Sequence, residues 1–408
     1  MADESGAFHG ALHGVRIVDL TDERAIYGAK LLADLGADVV RPEPPEGDPL
    51  RKRGPHLEGA PEAESSLWHT FFASNRRFFA VDPSDAAGRA TLGNLVDRAD
   101  IVLTTAGSFG VAEADLIEAR KRRPGLVVIE TSSFGPAGPW RDYLAPDLVA
   151  GALGGSVATT GDVDTPPLKT FGELNFMVSG AYVAIAALSA LYRARESGLG
   201  QTAHVPVHEC IASCLEHVLM FYCYHDHLPT ADGPALERRG SLHWSNAYVV
   251  MQAQGGSIMV TPAPNVDAQL AWLVEVGAEE DLAQPKYQGR ENRTLFVPRL
   301  MEVLRSWIGT RDVEALFNEA QARHAPYGWV LPIEKVAESP QLQARDWWVP
   351  YRVGEAEIRG PGAPYRFSET PWRIRASFGS GAGSGGESGT DSADTQAILA
   401  EIDWEDDR

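Results

Sequence analysis

"GVRIVDLTDERAIYGAKLLADLGADVVRPE", residues 14–43, opens on a short apolar run with β-branched residues, passes through a segment of helical periodicity that closes at a glycine, and ends on a second strand-like run. Strand, helix and strand in so short a span make a β-α-β unit. The alternation continues through "FFAVD", the helix "AAGRATLGNLVDRA", the strand "DIVLTT", the helix "AEADLIEARKRRP" and the strand "LVVIETSSFG". Strands that alternate with helices pair in parallel, because only a crossover helix returns the chain to the same edge. The spacing therefore predicts an α/β protein with a doubly wound parallel sheet.

Beyond Gly138 the texture changes to a loop-rich stretch, followed by a long helix at about 175–196, a strand at "TAHVPV" and a helical run that carries Cys210, Cys214 and Cys223. "WSNAYVVMQAQGGSIMVTP" reads as two strands joined at a Gly-Gly turn, a hairpin and not a crossover. At 408 residues the chain exceeds what one core usually serves. We expect the first part of a large domain over 1–222, a smaller α+β domain over 223–340 and a return to the large domain over 341–377. A Gly/Ser linker over 378–392 and an acidic helix over 393–408 follow.

The net charge of −20, from 56 acidic and 36 basic residues, argues against a nucleic-acid or anionic-membrane partner, since both need a basic face. No signal-peptide pattern opens the chain, and the longest apolar window, "AYVAIAALSALY", stops after twelve residues. The three cysteines read as reduced thiols of a cytoplasmic protein. No metal is expected. Cys210 and Cys214 lack a completing pair, and His204 and His208 stand four apart where a strand runs into a helix.

"GSFG" (107–110) and "GALGGSVATTG" (151–161) do not form a dinucleotide or triphosphate fingerprint, and "DLTDER" puts acids where a glycine turn would receive pyrophosphate. No G-x-S-x-G elbow is present. In so acidic a chain the basic clusters are informative. Arg41, Arg51, Lys52 and Arg53 follow the second strand at its carboxyl end, and Asn75, Arg76 and Arg77 lie just ahead of the next strand. They read either as solvated surface or as a site for the phosphates of a large anionic cofactor.

Taken in order, these segments resemble family III CoA-transferases, the group of formyl-CoA transferase, carnitine CoA-transferase and alpha-methylacyl-CoA racemase. The resemblance is carried by the opening stretch, "SNRRFFAVD", "TSSFGPAGPWRDYLAPDLVAGALGG", "ALSALYRARESGLGQTAHVPVHE", "YGWVLPIEKVAESPQLQARDWW" and "GAPYRFSETPW". It implies a Rossmann-like large domain built from both chain ends, a smaller middle domain, an interlocked homodimer, and coenzyme A as co-substrate with a small carboxylic acid as acceptor. It further implies that a carboxylate after a glycine, at the start of the long helix, attacks an acyl-CoA thioester. Here that residue is Glu173, where the family has aspartate, and the segment after it is longer. Asn175 or Phe176 are alternatives for the structural position, which would leave Glu173 at a helix start facing the dipole.

Thr104-Thr105 stands in place of the family's Glu-Asn, and Thr104 is expected beside the cofactor with Arg41, Arg51, Arg53, Asn75, Arg76 and Arg77. Pro146 replaces the histidine that precedes Asp147 in the racemase pattern. Three readings follow: CoA transfer on Glu173, enolisation of an acyl-CoA with Asp147 or Glu173 as base, or a diverged binding protein without transfer chemistry.

Overall fold

The structure is a computed structural model that describes residues 10–60, 65–105, 109–161, 165–215, 218–219, 223, 249–261, 266–354 and 356–374. The linker and acidic helix expected over 378–408 lie outside the described residues. The chain falls into two units, one of Met1–Gly155, Thr170–Cys214 and Gln341–Arg408, the other of Ser156–Lys169 and Leu215–Pro340.

The first unit is α/β. Its elements are β1 (Arg16–Leu20), α1 (Ile26–Asp34), β2 (Asp38–Glu43), α2 (Leu67–Phe72), β3 (Arg76–Ala80), α3 (Ala86–Arg98), β4 (Ile101–Thr105), α4 (Glu113–Arg122), β5 (Val127–Ser132) and α5 (Asp147–Leu153). After the short α6 (Ser156–Thr159) of the other unit come α7 (Leu174–Ser197), β6 (Thr202–Pro206) and α8 (Val207–Ser213). Six strands pair in parallel in the order β3-β2-β1-β4-β5-β6.

Alternate strand residues point to opposite faces, and both faces are covered. Ile17, Val39, Leu103 and Ile129 pack with α1 and α7, whereas Val18, Val40, Val102 and Val128 pack with Leu92, Leu95 and Leu116 of α3 and α4. Helices α1 and α7 cross at two glycines. A Cβ on Gly28 would lie 2.5 Å from the carbonyl oxygen of Gly180, and one on Gly180 would lie 2.8 Å from the amide nitrogen of Gly28.

The buried residues of α7, among them Ser179, Val183, Ala187, Ala190 and Ala194, recur at three- and four-residue spacing. Its other side carries exposed Tyr182, Ile185, Leu188 and Tyr192. By length and composition alone α7 could cross a membrane, but half of its most apolar window is buried, as in a core helix.

The return segment closes this unit. An antiparallel pair, β10 (Trp348–Val353) with β11 (Ala356–Pro361), follows Gln341, and Tyr365 and Trp372 pack against the core that includes Leu32 and Ala33 of α1. The second unit holds an antiparallel sheet of β7 (Val249–Ala253), β8 (Gly256–Val260) and β9 (Gly328–Trp329), turned at Gly255 with φ 81°. Trp272, Leu304, Trp307 and Leu316 from the helices that follow, with Tyr327 from the loop before β9, fill its core.

Candidate active site

In an open parallel sheet, strands that leave the centre in opposite directions part at their carboxyl ends and leave a crevice there. The order β3-β2-β1-β4-β5-β6 places that parting between β1 and β4. A cavity of about 360 Å³ lies at the carboxyl ends of β1 and β2 and beside Phe109, beyond β4. Proline rings form much of its apolar wall (Pro42, Pro44, Pro49 and Pro83), while Asp22, Glu23 and Arg41 add charge.

Arg41 is buried. Its Nε donates to Asp48 Oδ2 at 2.8 Å, its second terminal nitrogen lies 2.7 Å from the same oxygen, and Nη1 stands 3.2 Å from Asp19 Oδ2 without a hydrogen bond. Burial alone would lower its pKa, but Asp48 and Asp19 more than offset that and hold the guanidinium charged. Burial would raise the Asp48 and Asp19 pKa values. The guanidinium of Arg41, helped by His69 at Asp48 and by Arg76 at Asp19, brings both below the usual carboxylate range.

His69 packs under this network and burial pushes its pKa down to about 4. Glu43, Asp48 and His69 bring three potential metal-ligand atoms within 4.8 Å of one another, a grouping that sequence spacing did not reveal. Glu43 already accepts three hydrogen bonds from Arg51 and Asp48 is paired with Arg41, so guanidinium groups supply the positive charge there.

The basic residues read as one phosphate cluster are divided by the fold. Parallel register places the first residues of β3 at the amino end of the sheet, level with Val39 and Val40. Arg76 is fully buried. Its Nε donates to Asp19 Oδ2 at 2.7 Å, and its terminal nitrogens donate to the carbonyls of Phe72 and Ile26. Arg77 pairs with Asp38, and the Asn75 amide donates to Asp34 Oδ1 and to the carbonyl of Arg373. Of the three residues read as a phosphate site, Arg76 and Asn75 are thus buried among protein partners, and Arg77 forms a partly exposed pair with Asp38. Thr104 is likewise buried within β4, its hydroxyl 3.5 Å from the next carbonyl.

Arg51 and Arg53 stay at the carboxyl side. A 3₁₀ turn over Pro49–Lys52, capped by Asp48, follows β2, and Arg51 lies over the Phe78 ring at 4.9 Å. Arg53 reaches the start of α7, where its Nη2 donates to Glu173 Oε1. Gly172 adopts φ 69°, a left-handed turn that suits glycine, and Glu173 stands at the N-cap of α7 without making a side-chain cap bond. Instead Asp147 caps the helix from outside: Oδ1 accepts from the Phe176 amide at 3.1 Å and Oδ2 accepts from the Asn175 side chain at 2.9 Å. Asp147, the other carboxylate singled out by sequence, is buried, and both of its oxygens are engaged at the start of α7.

Asn175 and Phe176, the alternatives for the structural position, are both buried. Glu173 remains half-buried, with 23% of its side chain exposed. Burial pushes the Cys210 thiol up to about 12, which makes it an inert core group.

Comparison with known proteins shows the family. The model of CoA-transferase family III matches residues 12–378. Over 372 residues the chain is 28% identical to the succinyl-CoA:(R)-benzylsuccinate CoA-transferase subunit BbsE of Thauera aromatica, covering 88% of each chain. Over 382 residues it is 28% identical to formyl-CoA:oxalate CoA-transferase of Streptomyces avermitilis, covering 90% of this chain and 92% of the relative. A CAIB/BAIF family protein from Brucella suis shares the fold with a TM-score of 0.78 at 22% identity, over 96% of this chain and all of that one. The transferase names favour CoA transfer over the enolisation and binding-protein readings. The chain belongs to CoA-transferase family III, enzymes that move CoA between an acyl-CoA thioester and a carboxylic acid.

Proposed function

We propose that Glu173 is the nucleophile of this transferase and that the nucleotide end of CoA occupies the cavity beside Arg41. The observation that carries the reading is the division of labour at α7: Asp147 takes the helix cap, which leaves the Glu173 carboxylate outside the cap, half-buried and held by Arg53. A carboxylate is a weak nucleophile in water, and partial desolvation with fixed orientation is what raises its reactivity.

Its oxygen attacks the thioester carbonyl carbon, the C–S bond breaks, and CoA leaves as thiolate from a mixed anhydride. The thiolate attacks the enzyme-side carbonyl of that anhydride, giving a Glu173 thioester and the free donor acid. The acceptor carboxylate attacks the Glu173 thioester and forms a new mixed anhydride as CoA leaves again. The thiolate then takes the acceptor acyl group and Glu173 is regenerated. Arg41 lines the cavity, and its guanidinium charge suits a phosphate group.

Incubation with formyl-, acetyl- or succinyl-CoA, followed by hydroxylamine or borohydride, should change the mass of the peptide that holds Glu173. Mapping of the adduct to any other residue, or its absence with every donor, would refute the assignment.

We further propose that the chain works as a homodimer, in the reducing cytoplasm to which its free cysteines are suited. The exposed apolar residues of α7, Tyr182, Ile185, Leu188 and Tyr192, with Leu148 and Leu153 of α5, form a surface of the kind buried between subunits. Sedimentation of the full chain at micromolar concentration should give twice the 44.1 kDa of one protomer. A purely monomeric species would reject this.

A further inference from the structure

We infer that Arg53 is a positioning residue for Glu173 that follows the negative charge as the acyl group is transferred. The inference rests on the reading of Glu173 as nucleophile. Three observations motivate it.

The first is the ion pair itself, which joins a loop after β2 to the start of α7 across 120 residues of sequence. The second is how firmly Arg53 is held. Its guanidinium lies 4.4 Å from the centre of the Trp68 ring, and its carbonyl accepts from the Ser66 hydroxyl that also caps α2, the helix carrying Trp68. The third is that Arg53 Nη1 is buried without a hydrogen-bond partner. A buried donor left unmade is unfavourable, and a partner supplied in another state of the protein would satisfy it.

The charge balance of the first half-reaction supplies that state. Before attack, the negative charge is on the Glu173 carboxylate, paired with Nη2. As the Glu173 oxygen bonds to the thioester carbon, the charge moves to the former carbonyl oxygen, and it leaves on the CoA sulfur when the C–S bond breaks. The anhydride that remains is neutral, so the ion pair loses its electrostatic basis as the oxyanion forms next to it. A planar guanidinium with one donor on the carboxylate and one unused can hold the first and, with a small shift that uncovers Nη1, stabilise the second. A lysine at this place has no such fork.

The test compares the rate of Glu173 labelling in wild type, Arg53→Ala and Arg53→Lys, using whichever donor labels the wild-type enzyme. Removal of one oxyanion donor slows such steps by about a hundredfold to a thousandfold, and Arg53→Ala should fall in that range. Arg53→Lys should recover only part of the rate. Added guanidinium chloride at millimolar concentration should restore Arg53→Ala at least about tenfold, and sodium chloride of equal ionic strength should not.

Labelling of Arg53→Ala at the wild-type rate would overturn the inference and leave the nucleophile standing. So would a loss that guanidinium does not rescue and that tracks a lowered melting temperature, since that marks a structural tie alone. Failure of any donor to label Glu173 in the wild type would remove the nucleophile and this inference together.

Discussion

Glu173→Gln is expected to leave CoA transfer at least about ten thousandfold below wild type, because a catalytic unit that has lost its nucleophile retains only binding and polarisation. The substitution keeps the shape of the side chain and an oxygen that can accept from Arg53 Nη2, so the loop after β2 and the start of α7 should stay joined. The amide nitrogen has no lone pair free for attack, and no anhydride can form. Free CoA should bind with unchanged affinity by calorimetry, since the cavity beside Arg41 contains no part of Glu173. Glu173→Asp retains the functional group but withdraws it by one methylene, and a displacement of about 1 Å lowers such rates on the order of a hundredfold. Measured turnover of the glutamine variant within tenfold of wild type would eliminate Glu173 as nucleophile.

The largest loss of stability is expected at Asp19. This carboxylate is fully buried in β1 and accepts from Arg76 Nε at 2.7 Å, from the Thr21 hydroxyl at 2.6 Å and from the Thr21 amide at 3.0 Å. Arg41 Nη1 lies 3.2 Å away. Asp19→Ala would leave Arg76 buried without its anion and remove half of the charge that balances Arg41. Breaking a buried pair from one side lowers stability by about 3–5 kcal/mol, a large part of the 5–15 kcal/mol typical of a folded domain. Urea denaturation at neutral pH should show the loss. A change below about 1 kcal/mol would mean that water or a shifted neighbour replaces the carboxylate.

The pH dependence has a definite sign. Burial would raise the Asp19 pKa, but Arg41 and Arg76 outweigh it and the folded value is lowered. A carboxylate with a depressed folded pKa stabilises the fold above its unfolded value, about 4, and that contribution is lost as pH falls through the folded value. Asp48 acts in the same direction. Wild-type stability should therefore decline below about pH 4, and Asp19→Ala should show a shallower decline over the same window.

The architecture was largely legible in the residues. Each strand of the parallel sheet was visible as an apolar run, and α1, α3, α4 and α7 as repeats of three and four, because both patterns are imposed by local geometry within a dozen residues, whereas the short α2 was not read. The hairpin of the second unit was legible for the same reason, in the Gly-Gly turn at Gly255. The ends of α7 were also readable to within a residue or so, from Gly172 before it and Gly198 after it. Which candidate charges would meet was not. "RKR" and "NRR" look alike as text, yet Arg53 lands on Glu173 at the carboxyl side while Arg76 turns inward to Asp19.

Sequence by itself therefore determined the class of fold, the order of its elements and the carboxylate that follows Gly172. Tertiary structure decided the roles: Asp147, 28 residues before Asn175, took the cap of α7, and Arg53, 120 residues before Glu173, took its side chain. The physical reason is range. Hydrophobic periodicity is enforced by each residue's near neighbours, but the partner of a charge is fixed only when the assembled sheet brings distant loops to the same edge.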